Sequence, residues 1–566
     1  MQNQEIIKAF TLIIEGLEIL NENPFRIKNY QNALQKLENT TQNIFELHQK
    51  GQLESLGLGK SITEQLKTWF NTGKWDTLQE VTNQIPETVL QMLNIKGLGA
   101  KKIAFLWKEL DILSIEELLA ACQQNKLVNA KGFGQKTQQN IINSIEFLQK
   151  QKGKIRYNQA LEYQENIIQT LKACPFILKA EPTKELRRKA EIIDILSFIV
   201  ATDNLAKVHQ WLQQTFSTSS KSIFSTSHYW VAEYEGIKME VFLVTPHEFI
   251  KKQFILTGSV QHVAHFWDNL LNTDFTSEEE IYTSTGLPFI PAEVREAIHA
   301  LEDKTTWSKM STLIDIHHLK GTIHNHSTYS DGLNTLQEMA ETAKNVWKWE
   351  YLVLSDHSKS SAFYANGMYE NKVKEQWKEI DYWNSQHPDF YIFKGIECDI
   401  LPDGSLDYED TFRAGFEVVL ASIHQNLKMD KEKATERLLT AIAHPHTNIL
   451  GHLTGRLLLS REGYPVDYET IIDACAKYNV AIELNANPYR LDLDWRWIPY
   501  CIKKGVWISI NPDAHSVKGY EDTIYGVYAA RKGKLLWENT LNALTLEKFK
   551  EWVTIQHQKR VKSNKS

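Results

Sequence analysis

Nine residues in the second half of the chain are of the types that hold divalent cations. They are His324, His326, Asp331, His357, Glu397, His424, His452, Asp513 and His515. The first three lie in the stretch KGTIHNHSTYSDGLN (320–334), where a short apolar run ends in His324-Asn325-His326 and Asp331 sits in the turn beyond. Side chains two apart on a strand share a face, so His324 and His326 can reach the same ion. A single His-x-His in a large protein is commonly incidental, and it is the recurrence of such residues that carries the argument.

Six further apolar runs follow: YLVLSDH (351–357), YIFKGIECD (391–399), FEVVLASIH (416–424), NILGH (448–452), AIELNAN (481–487) and VWISINPDAH (506–515). Helix-like stretches such as TLQEMAETAKNVW and YETIIDACAKYN separate most of them. Strand alternating with helix predicts parallel βα units, and about seven in tandem predict a closed or nearly closed barrel. Chemistry in such barrels gathers at the carboxyl ends of the strands. Every run except AIELNAN carries one of the candidate ligands at or near its carboxyl end.

The order H-x-H, S-D-G, S-D-H, G-I-E-x-D, S-I-H, G-H-x-T-G-R and D-A-H resembles the PHP (polymerase and histidinol phosphatase) domain, in the form found at the end of bacterial X-family DNA polymerases. The resemblance implies a distorted (β/α)7 barrel with a cluster of two or three divalent ions, and all nine ligand positions hold ligand-type residues. Mixed imidazole and carboxylate donors suit Mn²⁺, Zn²⁺ or Fe²⁺ better than Mg²⁺ alone. Glu397 is expected to bridge ions and, with Asp513, to be indispensable for catalysis; Arg456 is read either as a phosphate clamp or as a surface charge. His444 and His446 fall outside the pattern.

Residues 1–150 predict an almost wholly helical region with three Gly-x-Gly turns, Gly57-Leu58-Gly59, Gly97-Leu98-Gly99 and Gly132-Phe133-Gly134. Such turns bare backbone N–H groups to a phosphate, and the helix that follows adds its positive end. They point to helix-hairpin-helix contacts with DNA. Basic and acidic residues are equal in number over 1–150, so binding would rest on these local nests and be weak at physiological salt. Residues 21–38 with SLGLGKSITEQL resemble the lyase domain of X-family polymerases, but the Schiff-base lysine position falls at Gln65 and a second lysine position at Ser61. An amide forms no imine. This domain is therefore expected to hold DNA ends without lyase activity.

Residues 151–310 predict mixed α/β structure that resembles the polymerase palm and thumb. Arg187-Arg188, Thr257-Gly258-Ser259 and EEEIYTSTGLPFIPAEVRE fit the family pattern. Where the resemblance places two catalytic aspartates the chain has Ile195 and Ser197, and the third acid survives as Glu240. Lys184-Glu185 replaces the Gly-Ser that cradles triphosphate. One acid cannot hold the ion pair of a two-metal site, so polymerase activity is expected to be absent.

The fold class expected is thus multidomain α and α/β: a helical lyase-like domain (1–85), a fingers-like helix-hairpin-helix region (86–150), a degenerate α+β palm and thumb (151–310) and a PHP barrel (311–566). The chain has 566 residues and a formal charge of −7, so nothing marks it as a bulk polyanion binder. Its five cysteines show no C-x-x-C, fitting a reducing cytoplasm, and residues 1–20 lack a signal-peptide pattern. The tail HQKRVKSNKS reads as disordered. The expected function is metal-dependent phosphoester hydrolysis on DNA ends, gaps or single strands in DNA repair, most simply 3′→5′ exonucleolysis, with 3′-end processing or abasic-site cleavage as extensions. A histidinol-phosphatase-like phosphomonoesterase and a non-catalytic DNA-end scaffold are the alternatives.

Overall fold

The computed structural model describes residues 3–38, 40, 43–128, 130, 132–216, 224–296 and 310–563. The chain divides into two compact units, Met1–Lys152 and Gly153–Ser566. The first is helical throughout, and its longest helices are Asn3–Leu20, Pro24–Glu38, Lys60–Thr72, Ala100–Leu110 and Gln135–Gln151. One core that includes Phe10, Leu17, Leu66, Trp75, Ile103, Leu118 and Ile145 holds it together. Gly16 lets two helices close on each other, since a Cβ there would lie 2.2 Å from Val81 Cγ1.

The second unit opens with a five-stranded sheet. Its central strands, Ile195–Ala201 and Ile237–Val244, run parallel with Ser197 opposite Glu240. After it come seven short strands: Gly321–Thr322, Tyr351–Leu354, Tyr391–Asp399, Val418–Ser422, Ile449–Leu450, Ala481–Asn485 and Ile508–Asn511. They pair in sequence order and all in parallel. Helices such as Leu336–Asn345 and Tyr468–Tyr478 return between them. Tyr351–Leu354 and Val418–Ser422 are buried at every position, which is why these strands read as continuous apolar runs.

The barrel closes beyond its strands. Asn325 forms a parallel bridge with Ala514, in which the His326 N–H donates to the Ala514 carbonyl (2.8 Å) and the Ala514 N–H to that of His324 (3.2 Å). At the amino end Leu546, Phe549, Trp552 and Val553 pack on inward side chains of the strands, among them Tyr351, Val353, Phe393, Leu420 and Ile449. These four belong to the helix Leu546–Ser563, which corrects the reading of the tail as disordered. Its later turns are also tied down, with Lys559 Nζ donating to the Asn479 carbonyl at 2.6 Å. Residues 564–566 lie outside the described residues. Among the described residues no helix is long and apolar enough to cross a membrane.

Candidate metal centre

Alternation along the strands delivers the site. Tyr351 and Val353 line the interior and the same face continues to Ser355 and His357. Phe393 leads through Gly395 to Glu397, and Val418 and Leu420 lead through Ser422 to His424. Glycine is needed in the middle layer, because a Cβ on Gly395 would lie 2.6 Å from the Leu354 carbonyl oxygen. Apolar floor, small middle and ligand-bearing top follow from period two.

All nine candidates converge, and Glu397 lies at their centre. Its Oε1 is 2.9 Å from His452 Nε2 and 3.1 Å from His424 Nε2. Its Oε2 is 3.0 Å from His357 Nδ1, 3.3 Å from His324 Nε2 and 3.7 Å from His326 Nε2. Asp513 Oδ1 lies 3.2 Å from His326 Nε2 and 3.4 Å from His324 Nε2. Asp331 stands 3.4 Å from His515 Nε2 and 3.6 Å from His357 Nε2. Three sets have donor atoms close enough to share an ion: His326 with Asp331, His357 and His515; His324 with His326 and Asp513; and His357 with Glu397 and His424.

These residues fit divalent cations on a structural criterion. His324 Nε2, both nitrogens of His326, His357 Nδ1 and Glu397 Oε2 are buried without a hydrogen-bond partner among the described residues. Orphaned polar atoms so concentrated are costly in a folded protein, and cations satisfy them together. The electrostatics agree. Burial opposes charge on Glu397, yet His424, His324 and His357 hold its carboxyl well below the usual range. Burial, with His515 and His357 adding, pushes His326 down to about 3, leaving the neutral imidazole that a metal requires.

A surrounding layer aims the ligands. His324 Nδ1 pairs with Glu483 Oε1 at 2.7 Å, which turns Nε2 toward the centre, and His424 Nδ1 pairs likewise with Asp399 at 2.5 Å. Glu483 also accepts from the His452 N–H at 2.6 Å. Asp356 accepts from the N–H groups of Ser327 (2.8 Å) and Ser330 (3.0 Å), and so holds the turn that carries Asp331. The AIELNAN strand therefore does contribute an acid to the site. Glu483 is fully buried and faces inward in register with Ala481 and Asn485, a signal present in the alternation.

Arg456 is engaged elsewhere. Its Nη1 donates to Asp494 at 2.9 Å and its Nε to the Arg490 carbonyl at 3.0 Å, with Nη2 on the Leu491 carbonyl, so it braces the 490–494 loop. The arginine that reaches the cluster is Arg490, with Nε 3.4 Å from Asp513 Oδ2. His444 caps the helix Lys431–Ala443 and lies 3.3 Å from Asp410, while His446 is buried nearby.

In the five-stranded sheet, Glu240 is surrounded by donors. It accepts from Ser197 Oγ (2.6 Å), Tyr229 OH (2.6 Å) and Lys184 Nζ (2.7 Å), which hold its carboxyl low against burial. Ile195, which starts the strand that carries Ser197, is paired with Lys238. Arg187 forks onto Glu278 at 2.7 and 3.0 Å. In the helical unit Gln65 Oε1 accepts from Tyr30 OH, Trp75 Nε1 and Thr77 Oγ1 at 2.7–2.9 Å, so the amide is a built-in structural group.

The three Gly-x-Gly turns each open a helix, at Lys60, Ala100 and Gln135. Gly57, Gly59, Gly97 and Gly132 have φ of +60 to +90°, which requires glycine. Gly99 and Gly134 have ordinary φ, and a Cβ on either would meet no described atom within 4 Å. Nothing among the described residues requires glycine at those two positions.

A closed parallel barrel with imidazoles and carboxylates converging at its carboxyl end defines a metal-dependent hydrolase. Three family models match: a helix-hairpin-helix domain over residues 1–75, a SAM-like helix-hairpin-helix tandem over 89–146 and a PHP domain over 322–487. The chain is 34% identical to the DNA polymerase/3′-5′ exonuclease PolX of Bacillus subtilis over 97% of its own length and 98% of that protein. It is also 27% identical to a probable phosphatase of Vibrio atlanticus, over 35% of this chain and 78% of that protein, and 28% identical to one of Yersinia enterocolitica, over 22% and 52%. The chain belongs to the bacterial X-family DNA polymerases that carry a C-terminal PHP domain.

Proposed function

We propose that this protein is a metal-dependent DNA phosphoesterase, acting as a 3′→5′ exonuclease in cytoplasmic DNA repair, and that its polymerase site has been lost. The observation that carries the hydrolytic reading is the position of Glu397, whose two oxygens face two different imidazole sets. Placed so, Glu397 would serve ions held by the imidazoles on either side of it. Two or three Mn²⁺, Zn²⁺ or Fe²⁺ ions held by the nine ligands would supply the charge that acidifies a water and stabilises the leaving 3′-oxygen. The chain's part is to hold that charge in place. Glu483 and Asp399 fix the tautomers of His324 and His424, and Arg490 lies beside Asp513, positioned to meet a phosphate oxygen. Water oxygen would bond to phosphorus as the bond to the 3′-oxygen of the preceding nucleotide breaks, releasing a nucleoside 5′-monophosphate and a strand one residue shorter.

Loss of the polymerase is supported by Lys184, whose ammonium occupies the surroundings of the remaining acid, Glu240. The open glycine turns support DNA contact by residues 1–85 and 86–150, with 151–310 as a frame for the barrel of 311–566. Metal analysis of the purified protein, with degradation of a 3′- or 5′-labelled single strand compared against histidinol phosphate, tests the reading. Bound metal with release of 5′-mononucleotides from the 3′ end is expected. Turnover of histidinol phosphate alone would favour the phosphomonoesterase.

A further inference from the structure

Beyond His357 the chain makes a short excursion over the mouth of the barrel, through the turn Lys359–Ser361 and the helix Ala362–Ala365. Three large aromatic residues lie exposed within seven positions of it. Phe363 is 101% exposed, Tyr369 59% and Tyr364 49%. An isolated exposed aromatic needs no explanation, but this group sits on an anchored scaffold. The Ser360 N–H donates to Asp407 Oδ2 (2.7 Å), Ser361 Oγ to Asp399 Oδ2 (2.5 Å), Asn366 Nδ2 to the Ser330 carbonyl (2.8 Å) and the Met368 N–H to the His357 carbonyl (2.8 Å). Gly367 permits the close return, since a Cβ there would fall 2.0 Å from the Ser358 carbonyl oxygen. The backbone is thus fastened on both sides while the Phe363 ring projects into solvent.

The excursion is continuous with the metal centre. Asp399, which receives Ser361, is also the partner of His424, and the Tyr364 ring lies 6.4 Å from the His424 ring. Ser330, which receives Asn366, precedes the ligand Asp331. An exposed, uncharged ring on a segment tied to a phosphate-directed centre matches a nucleobase, which every nucleotide carries at a short reach from its phosphate.

We infer that residues 359–369 form a stacking platform for the 3′-terminal base of a single DNA strand, with Phe363 as the stacking ring and its neighbour Tyr364 packed toward His424. The inference rests on the exonuclease reading and adds to it a preference for an unpaired end. A paired terminal base would have to leave its neighbour in the duplex to reach Phe363.

The test uses the metal-loaded full chain as wild type, Phe363→Ala and Phe363→Trp. The substrates are a labelled single strand, the same strand with two baseless residues at its 3′ end, and bis(p-nitrophenyl) phosphate. Phe363→Ala should lower kcat/KM on the normal strand about 10-fold or more, and Phe363→Trp should retain it. Baseless ends should slow the wild type by a similar factor and the alanine variant hardly further, because the ring and the base act as one pair. Metal content and the thermal unfolding midpoint should be the same in all three proteins, which reports intact folding and an intact centre; bis(p-nitrophenyl) phosphate, whose own rings can stack on Phe363, shows only that each protein still turns over a phosphodiester. Shortening of the normal strand indifferent to Phe363, or an alanine loss equal on normal and baseless strands, overturns the platform alone. A wild type that shortens no oligonucleotide overturns the exonuclease reading, and the platform falls with it.

Discussion

Glu483 touches no substrate in this arrangement, yet its replacement should be felt throughout the metal centre. The carboxylate is fully buried and joins four donors: His324 Nδ1 at 2.7 Å and Asn511 Nδ2 at 2.9 Å on one oxygen, the His452 N–H at 2.6 Å and Asn485 Nδ2 at 3.4 Å on the other. Glu483→Gln keeps the shape but offers one acceptor oxygen and one NH₂. The amide can serve His324 or His452, not both, and it withdraws a buried negative charge. Leaving one buried donor unsatisfied costs about 1–3 kcal/mol. A midpoint of about 2 kcal/mol corresponds to roughly a 30-fold loss of metal affinity, inside the 10- to 100-fold range for groups that orient ligands. The assay is a metal titration of chelator-treated enzyme, read by bis(p-nitrophenyl) phosphate hydrolysis. Half-saturation should move to about 30-fold higher metal, while the rate at saturation stays within a few-fold of wild type. An unmoved midpoint would refute the orienting role. A collapsed saturated rate at full metal content would make Glu483 part of the reaction itself.

Glu397→Ala or Asp513→Asn should abolish hydrolysis and lower metal content together, whereas His444→Ala should do neither; elemental analysis beside an activity assay decides. Primer extension with Mg²⁺ or Mn²⁺ should not exceed a no-enzyme control, and extension that survives Glu240→Ala would count against the loss of the palm site. Gly99→Val and Gly134→Val, at positions with ordinary φ and open space, should weaken DNA binding in a fluorescence anisotropy titration while leaving bis(p-nitrophenyl) phosphate turnover intact. Equal losses in both would point to misfolding. Glu278 is held down to about 2 from an ordinary 4.5 because Arg187 and Arg295 outweigh its burial. Its folded pKa is the lower one, so its stabilisation is present above pH 4.5 and lost as pH falls toward 2. Glu278→Gln, which leaves the buried Arg295 unpaired, should cost about 3–5 kcal/mol in urea unfolding at pH 7 and lessen the acid sensitivity.

The seven strands were legible because parallel strands covered on both faces spell unbroken apolar runs, and the candidate ligands because most stand at or just beyond the carboxyl ends of those runs. Glu483 escaped the same logic because it lies within its strand rather than at the tip, although an acid inside AIELNAN has nowhere to go but inward. Arg456 and Arg490 show a different limit. Sequence gives both a positive charge near the site, but which one turns to Asp513 depends on the 490–494 loop, whose carbonyls take the Arg456 guanidinium. The tail fails for a third reason. HQKRVKSNKS carries little apolar signal of its own and continues a helix begun by Phe549 and Trp552, whose packing on the barrel floor orders the turns that follow.

Lys184 gives the two halves of the second unit different chemical fates. Its ammonium brings to Glu240 a positive charge that cannot diffuse away, whereas the barrel's candidate ligands would draw theirs from exchangeable ions. A chelator can therefore strip one half and has nothing to extract at Glu240. Chelation would thus reach the barrel's ligand cluster and leave the Lys184–Glu240 pair of the five-stranded sheet untouched.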